Sequence, residues 1–274
     1  MSAVAAAHPA RTGADVAALA ELLDEAQRTA TPVEQLSAGA PLALADAYAV
    51  QHALVARRIA RGDRVAGLKL GFTSRAKARQ MGVDDVILGT LTEAMRVEDG
   101  GCFDPASCIH PRVEPEVAYL LGADVDPDGG AHPSSIVAVA PALEIIDSRY
   151  RDFRFDLGDV VADDTSAAAF AIGPWIRPSD AVGLANRAVQ LEIDGRLVQT
   201  GSTAAILGDP ARALAAAGRL ANAHGFTLRA GTVLLAGAAT VAVPLPRHGV
   251  VEAGIHGLGR VSVRLGADAP EGDR

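Results

Sequence analysis

Apolar positions recur at helical spacing in two segments near the N-terminus. Residues 14–29 (ADVAALAELLDEAQRT) set Val16, Leu19, Leu22 and Leu23 on one stripe. Residues 43–61 set Leu44, Tyr48, Val55 and Ile59 on another, which Gln51 and His52 interrupt, and Gly62-Asp63 is expected to end that helix. Beyond residue 63 the period changes to two. Alternating runs at 64–72, 113–121, 142–146, 188–198, 232–236, 250–256 and 260–265 predict strands punctuated by Gly, Pro and Asp. The pair Asp194-Gly195 inside the 188–198 run signals a hairpin. One helix interrupts the strands: Asp209 is expected to cap it, Pro210 to occupy its first turn and Gly225 to end it. Its small face, Ala213, Ala216, Ala217 and Ala221, suits close approach to a sheet.

Helices followed by mostly strands, without βαβ alternation, predict an α+β chain rather than a doubly wound sheet. The expected organisation is a helical N-terminal cap (1–62), a β-rich catalytic unit (63–265) and a flexible tail (266–274), with the first dozen residues frayed as well. No Walker A loop, dinucleotide-binding glycine fingerprint, Gly-x-Ser-x-Gly elbow or His-Glu-x-x-His pattern occurs. A net charge of −8 with only 4% aromatic residues argues against nucleic acid as a partner. No apolar run reaches membrane-spanning length, and the Ala-rich start lacks a basic n-region, so a cytoplasmic enzyme is expected. Cys102 and Cys108 read as reduced thiols.

The chemistry concentrates in three places. In residues 110–121 (HPRVEPEVAYLL), Glu114 and Glu116 share one strand face, and Pro115 between them suits a strand edge or end. Glu144 lies in an apolar run, where a charge must be paired or bound to a metal. Two arrangements follow from the spacing. Either Glu114 and Glu116 are solvated while Glu144 pairs with Arg112 or Arg149, or the three carboxylates hold a hard divalent cation such as Mg²⁺ or Mn²⁺. The third place is Lys69, between Gly67 and Gly71 on the face opposite Ala66, Leu68, Leu70 and Phe72; the two glycines are expected to leave room for a ligand.

Together residues 67–77 (GLKLGFTSRAK), 111–116 (PRVEPE), 144–153 (EIIDSRYRDF), 161–166 (VADDTS) and 257–263 (GLGRVSV) carry a family resemblance. Over about residues 40–265 the chain resembles the hydratase/decarboxylase family of meta-cleavage aromatic degradation, related to the fumarylacetoacetate hydrolase fold. The resemblance implies a mixed, highly curved β-roll, a homo-oligomer and a Mg²⁺ or Mn²⁺ ion on Glu114, Glu116 and Glu144. It implies a catalytic, substrate-contacting Lys69, with Leu70, Ile87 and Ser166 as further substrate contacts and Thr165 as a hydroxyl candidate. Asp164 departs from the pattern, where Asn is frequent. An acidic residue common in the hydratases falls on Ile87 here, which turns the expectation toward decarboxylation of a 2-oxo-3-enedioate of the 4-oxalocrotonate type to a 2-hydroxydienoate. The alternative is hydration of 2-hydroxypenta-2,4-dienoate to 4-hydroxy-2-oxopentanoate, with Asp84 or Asp85 as acid/base. A complex with a homologous hydratase is also implied. His110, Arg112 and Arg149 are candidates either to brace the glutamate strands or to touch substrate.

Overall fold

Two helices open the chain, α1 (Gly13–Arg28) and α2 (Leu44–Ala60). Thr12 and Asp15 close a capping box at the start of α1, so order begins inside the segment expected to fray. The computed structural model describes residues 11–74, 85–125, 133–181 and 183–266. The proposed acid/base Asp84 and all of the expected tail except Gly266 lie outside the described residues. Among the described residues, no helix is long and apolar enough to cross a membrane.

The strands follow as β1 (Val65–Gly71), β2 (Ile87–Thr92), β3 (Arg96–Val97), β4 (Cys102–Phe103), β5 (Arg112–Leu121), β6 (Ile136–Ile146) and β7 (Ala167–Ile172). After them come β8 (Ala188–Ile193), β9 (Arg196–Ser202), β10 (Val233–Ala238), β11 (Val243–Pro244), β12 (Gly249–Ile255) and β13 (Gly259–Leu265). They form two mixed sheets. The larger runs β2-β1-β10-β5-β6-β7-β3 with β11 added on β5, and the smaller runs β4-β13-β12-β8-β9. The larger sheet curls, as expected of the β-roll. Asp194 and Gly195, both with positive φ, make the predicted β8–β9 hairpin turn.

One continuous core joins the helices to this sheet, with Leu23, Val50 and Leu54 packed among Leu68, Leu70, Leu88 and Val161. A second cluster, including Val113, Leu143, Ile145, Val251 and Val263, seals the small sheet against β5 and β6. Strand β2, Ile-Leu-Gly-Thr-Leu-Thr, is buried throughout, and β7 is a continuous apolar run, so neither shows a core face alternating with a solvent face in sequence. A short helix, α3 (Leu157–Ala162), also went unpredicted; Asp156 and Asp159 cap it reciprocally.

Three local expectations are corrected. Asp209 accepts from Ala211 N in a turn that precedes the helix, so α4 (Arg212–His224) starts later, with Ala211 at its N-cap. Gly225 ends α4 in the left-handed conformation, as expected. Ala66 leaves the Leu68/Leu70 face and joins Leu91 and Met95, because the β1–β2 register shifts between Val65 and Gly67. Pro115 sits in a central strand. Its C=O accepts from Ala239 N, so its absent N–H faces the same side, where β10 has ended and β11 has not begun. No ladder bond is lost.

Candidate metal centre and its cavity

The β5–β6 register sets Glu114 directly opposite Glu144 and Glu116 opposite Ala142. Glu114 and Glu144 therefore project from one face as a cross-strand pair, with Glu116 one repeat further along β5. One oxygen from each of the three carboxylates lies within 4.8 Å of the others. All three are buried. Glu116 is held by a device that sequence reasoning missed. The β10–β5 register shifts between Leu235 and Ala238, and Gly237 N donates to Glu116 Oε2 at 2.8 Å. Gly237 has φ +109, and a Cβ there would meet Thr73 Oγ1 at 2.1 Å, so only glycine permits this bulge.

Lys69 reaches the cluster from β1. Its Nζ forms an ion pair with Glu144 Oε1 and donates to Thr165 O at 2.9 Å. This pairing answers which cation neutralises Glu144. Arg149, fully buried, instead pairs with Asp163 and donates to Asp147 O and Ala167 O. Asp147 in turn accepts from Ile109 N and His110 N. Arg149 thus braces the chain leaving β6 and entering β7. The room expected beside Gly67 and Gly71 is largely filled. A Cβ on Gly67 would meet Val233 O at 2.1 Å, and one on Gly71 would meet Thr165 Cγ2 at 2.6 Å. Gly67 admits neighbouring backbone, whereas Gly71 admits the Thr165 methyl group and still borders the cavity that Lys69 lines.

Thr165 and Ser166 belong to an unusual turn. Asp164, Thr165 and Ser166 have consecutive φ values of +50°, +54° and +58°. Each left-handed non-glycine residue costs about 1–3 kcal/mol and persists only where its surroundings over-determine it. Here Asp164 Oδ1 accepts from Thr90 N at 2.7 Å, and its Oδ2 pairs with Arg58 Nη1 of α2 at 2.6 Å. Thr165 Oγ1 donates to Leu88 O, Ser166 N to Asp163 O, and Asp147 N to Ser166 O. Gln51, which broke the helical stripe, donates from α2 to both Leu88 O and Val161 O. Asp164 is therefore the buried partner of Arg58. Asp164→Asn keeps an acceptor for Thr90 but strands the guanidinium, and should lower unfolding free energy by about 3 kcal/mol in urea titration. A loss below about 1 kcal/mol would show that the pair does not brace the turn.

Lys69 and Glu114 line a cavity of about 650 Å³, with Glu116 and Glu144 buried behind them. Ile87 and Ser166 line it too. Ile87 pairs with Gly71 and therefore shares the face of Lys69. Leu70 borders the cavity, but it pairs with Leu88 on the opposite face and packs into the helix-side core. Ser166 Oγ is buried without a hydrogen-bond partner. The rest of the wall is largely apolar, including Phe72, Ile146, Phe155 and Val160. Asp85 is not brought to the cavity: both its oxygens are taken by Arg219 of α4.

Burial raises the Glu116 carboxyl well above its ordinary range, and neighbouring Glu144 and Glu114 add to this against the opposing charge of Lys69. Burial also raises Glu144, with Lys69 opposing. Glu116 Oε1 and Glu144 Oε2 are buried without a protein partner. Orphaned carboxylate oxygens converging from three glutamates are a hard donor set, and a divalent cation of the Mg²⁺ or Mn²⁺ type fits it.

A curled mixed sheet whose inner face converges three carboxylates and a lysine defines a class of metal-dependent small-molecule enzyme. Residues 74–265 match the fumarylacetoacetate (FAA) hydrolase C-terminal family, and the chain belongs to it. It is 48% identical over 252 residues to a 4-oxalocrotonate decarboxylase of a Pseudomonas species, covering 90% of this chain and 96% of the relative. It is 33% identical over 249 residues to a 2-hydroxyhexa-2,4-dienoate hydratase of Comamonas testosteroni, covering 89% and 94%. The solved structure of 4-oxalocrotonate decarboxylase from Pseudomonas putida G7, complexed with magnesium and adipate, superposes with a TM-score of 0.89 at 36% identity. That match covers 94% of this chain and 100% of the other.

Proposed function

We infer that the protein decarboxylates a 2-oxo-3-enedioate of the 4-oxalocrotonate type to a 2-hydroxydienoate, with Mg²⁺ or Mn²⁺ on Glu114, Glu116 and Glu144. The observation that carries this reading is the lining of the cavity. Among the described residues, the carboxylate cluster and Lys69 face a largely apolar wall, and Ile87 lines it at the position where the family resemblance sets an acidic residue in the hydratases. Asp85, tied to Arg219, does not supply that group. Identity of 48% to a decarboxylase, against 33% to a hydratase over a similar share of the chain, supports the same choice.

A divalent cation supplies Lewis acidity to the carboxylate and 2-oxo oxygens of such a substrate. The chain's own residues do the rest. Lys69, fixed by Glu144 and Thr165 O, holds a positive charge beside the 2-oxo group and stabilises the negative charge that develops there. The C5–C6 bond breaks, C6 leaves as CO₂, and the electron pair passes through the conjugated C3=C4 bond to the C2 oxygen, which takes up a proton. Ile87 and Val160 keep bulk water from the conjugated carbons while the diene forms and CO₂ leaves. Ser166 Oγ, with no protein partner, is free to donate to a substrate oxygen. The expected assembly is a homo-oligomer, able to associate with a homologous hydratase.

Substrate carrying ¹³C at C6, incubated with the Mg²⁺-loaded protein, should release all of its label as CO₂ and leave a five-carbon dienoate. Label retained in a six-carbon acid would contradict the assignment.

A further inference from the structure

We propose that Arg112 is the specificity-determining residue that binds the substrate's distal carboxylate. This deepens the decarboxylase reading and rests on it.

The placement follows from β5. Residues 112, 114 and 116 lie on one strand face at a spacing of about 6.6 Å per two residues. Along that line exposure rises from Glu116 to Glu114 to the half-buried Arg112. Arg112 thus stands one side-chain repeat outward from the carboxylates, paired across the sheet with Ile146, and both line the cavity. A chain anchored by its 2-oxo acid end at the glutamates extends toward it.

The guanidinium is held for binding rather than used up. Its carbon lies 4.3 Å from the centroid of Phe153, which also packs against the rings of His110 at 4.3 Å and Phe155 at 6.4 Å. Asp152 and Phe153 have φ of +58° and +56°, so strained backbone presents this ring. Stacking occupies the face of a guanidinium and leaves its edge N–H groups free for a carboxylate. Among the described residues, no carboxylate lies within ion-pair distance of Arg112. The other arginine near the centre, Arg149, is saturated by the Asp163 carboxylate and three carbonyls.

The bound carboxylate is the group that is lost, so this contact favours the bound ground state and sets affinity more than turnover. The test compares two ligands that share the 2-oxo acid end and differ only at C6, 2-oxoadipate and 2-oxohexanoate. Their dissociation constants on Mg²⁺-loaded protein are measured by calorimetry. The wild-type protein should prefer 2-oxoadipate by about 10–100-fold, the range of a charge-assisted bidentate contact. Arg112→Leu should reduce the preference to below about threefold while 2-oxohexanoate binds as before. Arg112→Lys, which keeps the charge without the fork, should retain part of it and carries the test if the leucine variant does not fold. Parallel weakening of both ligands, or a preference unchanged in the variants, overturns the role of Arg112 and leaves the decarboxylase reading standing. A wild-type protein with no preference for 2-oxoadipate overturns both.

Discussion

Lys69→Met is expected to lower kcat for CO₂ release by about 10²–10³-fold, the loss typical of one preorganised donor aimed at developing negative charge. The expectation rests on how little freedom the side chain has. Lys69 is 3% exposed, bound to Thr165 O and paired with Glu144. Among the described residues, Lys69 is the cation that pairs with Glu144. Methionine fills a similar volume, which separates loss of charge from loss of packing. The variant also leaves Glu144 buried without its cation, so the metal-free protein should lose about 3–5 kcal/mol of stability, with added Mg²⁺ restoring part of it. Steady-state CO₂ release and urea unfolding check the two effects separately. A loss in kcat below tenfold in folded protein would remove Lys69 from the chemistry.

Glu116→Gln is expected to weaken Mg²⁺ binding by more than about 100-fold, since loss of an outer-shell partner alone costs 10–100-fold. In the metal-free protein the same change should be stabilising near neutral pH. The sign follows from the raised carboxyl. Burial beside Glu144 and Glu114 makes folded Glu116 bind its proton at pH values where the unfolded chain has released it. Stability is then present below the unfolded value of about 4.5 and falls as pH rises from there toward the raised folded value. Glutamine removes that loss and still accepts from Gly237 N through its amide oxygen. Calorimetric Mg²⁺ titration and metal-free unfolding at pH 5 and pH 8 test the two halves. Unchanged Mg²⁺ affinity would exclude Glu116 from the centre.

Much of this arrangement was legible because it depends on strand period. Glu114 and Glu116 at i and i+2 must share a face, and an acidic residue in the apolar run around Glu144 demanded a partner. The hairpin at Asp194-Gly195, both N-terminal helices and the alternating strands were readable for the same local reasons. What stayed hidden depends on distant neighbours. Nothing near Gly237 in sequence reveals that its N–H meets Glu116 across a bulge. Gln51 read as a flaw in a helix stripe, whereas two buried carbonyls more than 30 residues away require it. Asp164 read as a departure from a family pattern, and its reason sits on α2 as Arg58. Strands β2 and β7 are largely buried, so neither shows a clear solvent face in its residue pattern. The flanking glycines of Lys69 suggested open space because sequence shows missing side chains, not the backbone that fills their place.

Metal-dependent decarboxylation is measured on metal-stripped protein with Mg²⁺ or Mn²⁺ added back. One sample receives 2-oxo-3-hexenedioate and is followed for CO₂, and another receives 2-hydroxypenta-2,4-dienoate and is followed for loss of diene absorbance. CO₂ release is expected only with metal present, while the diene persists. Hydration of the diene without CO₂ release, or CO₂ release indifferent to metal, would rule out metal-dependent decarboxylation.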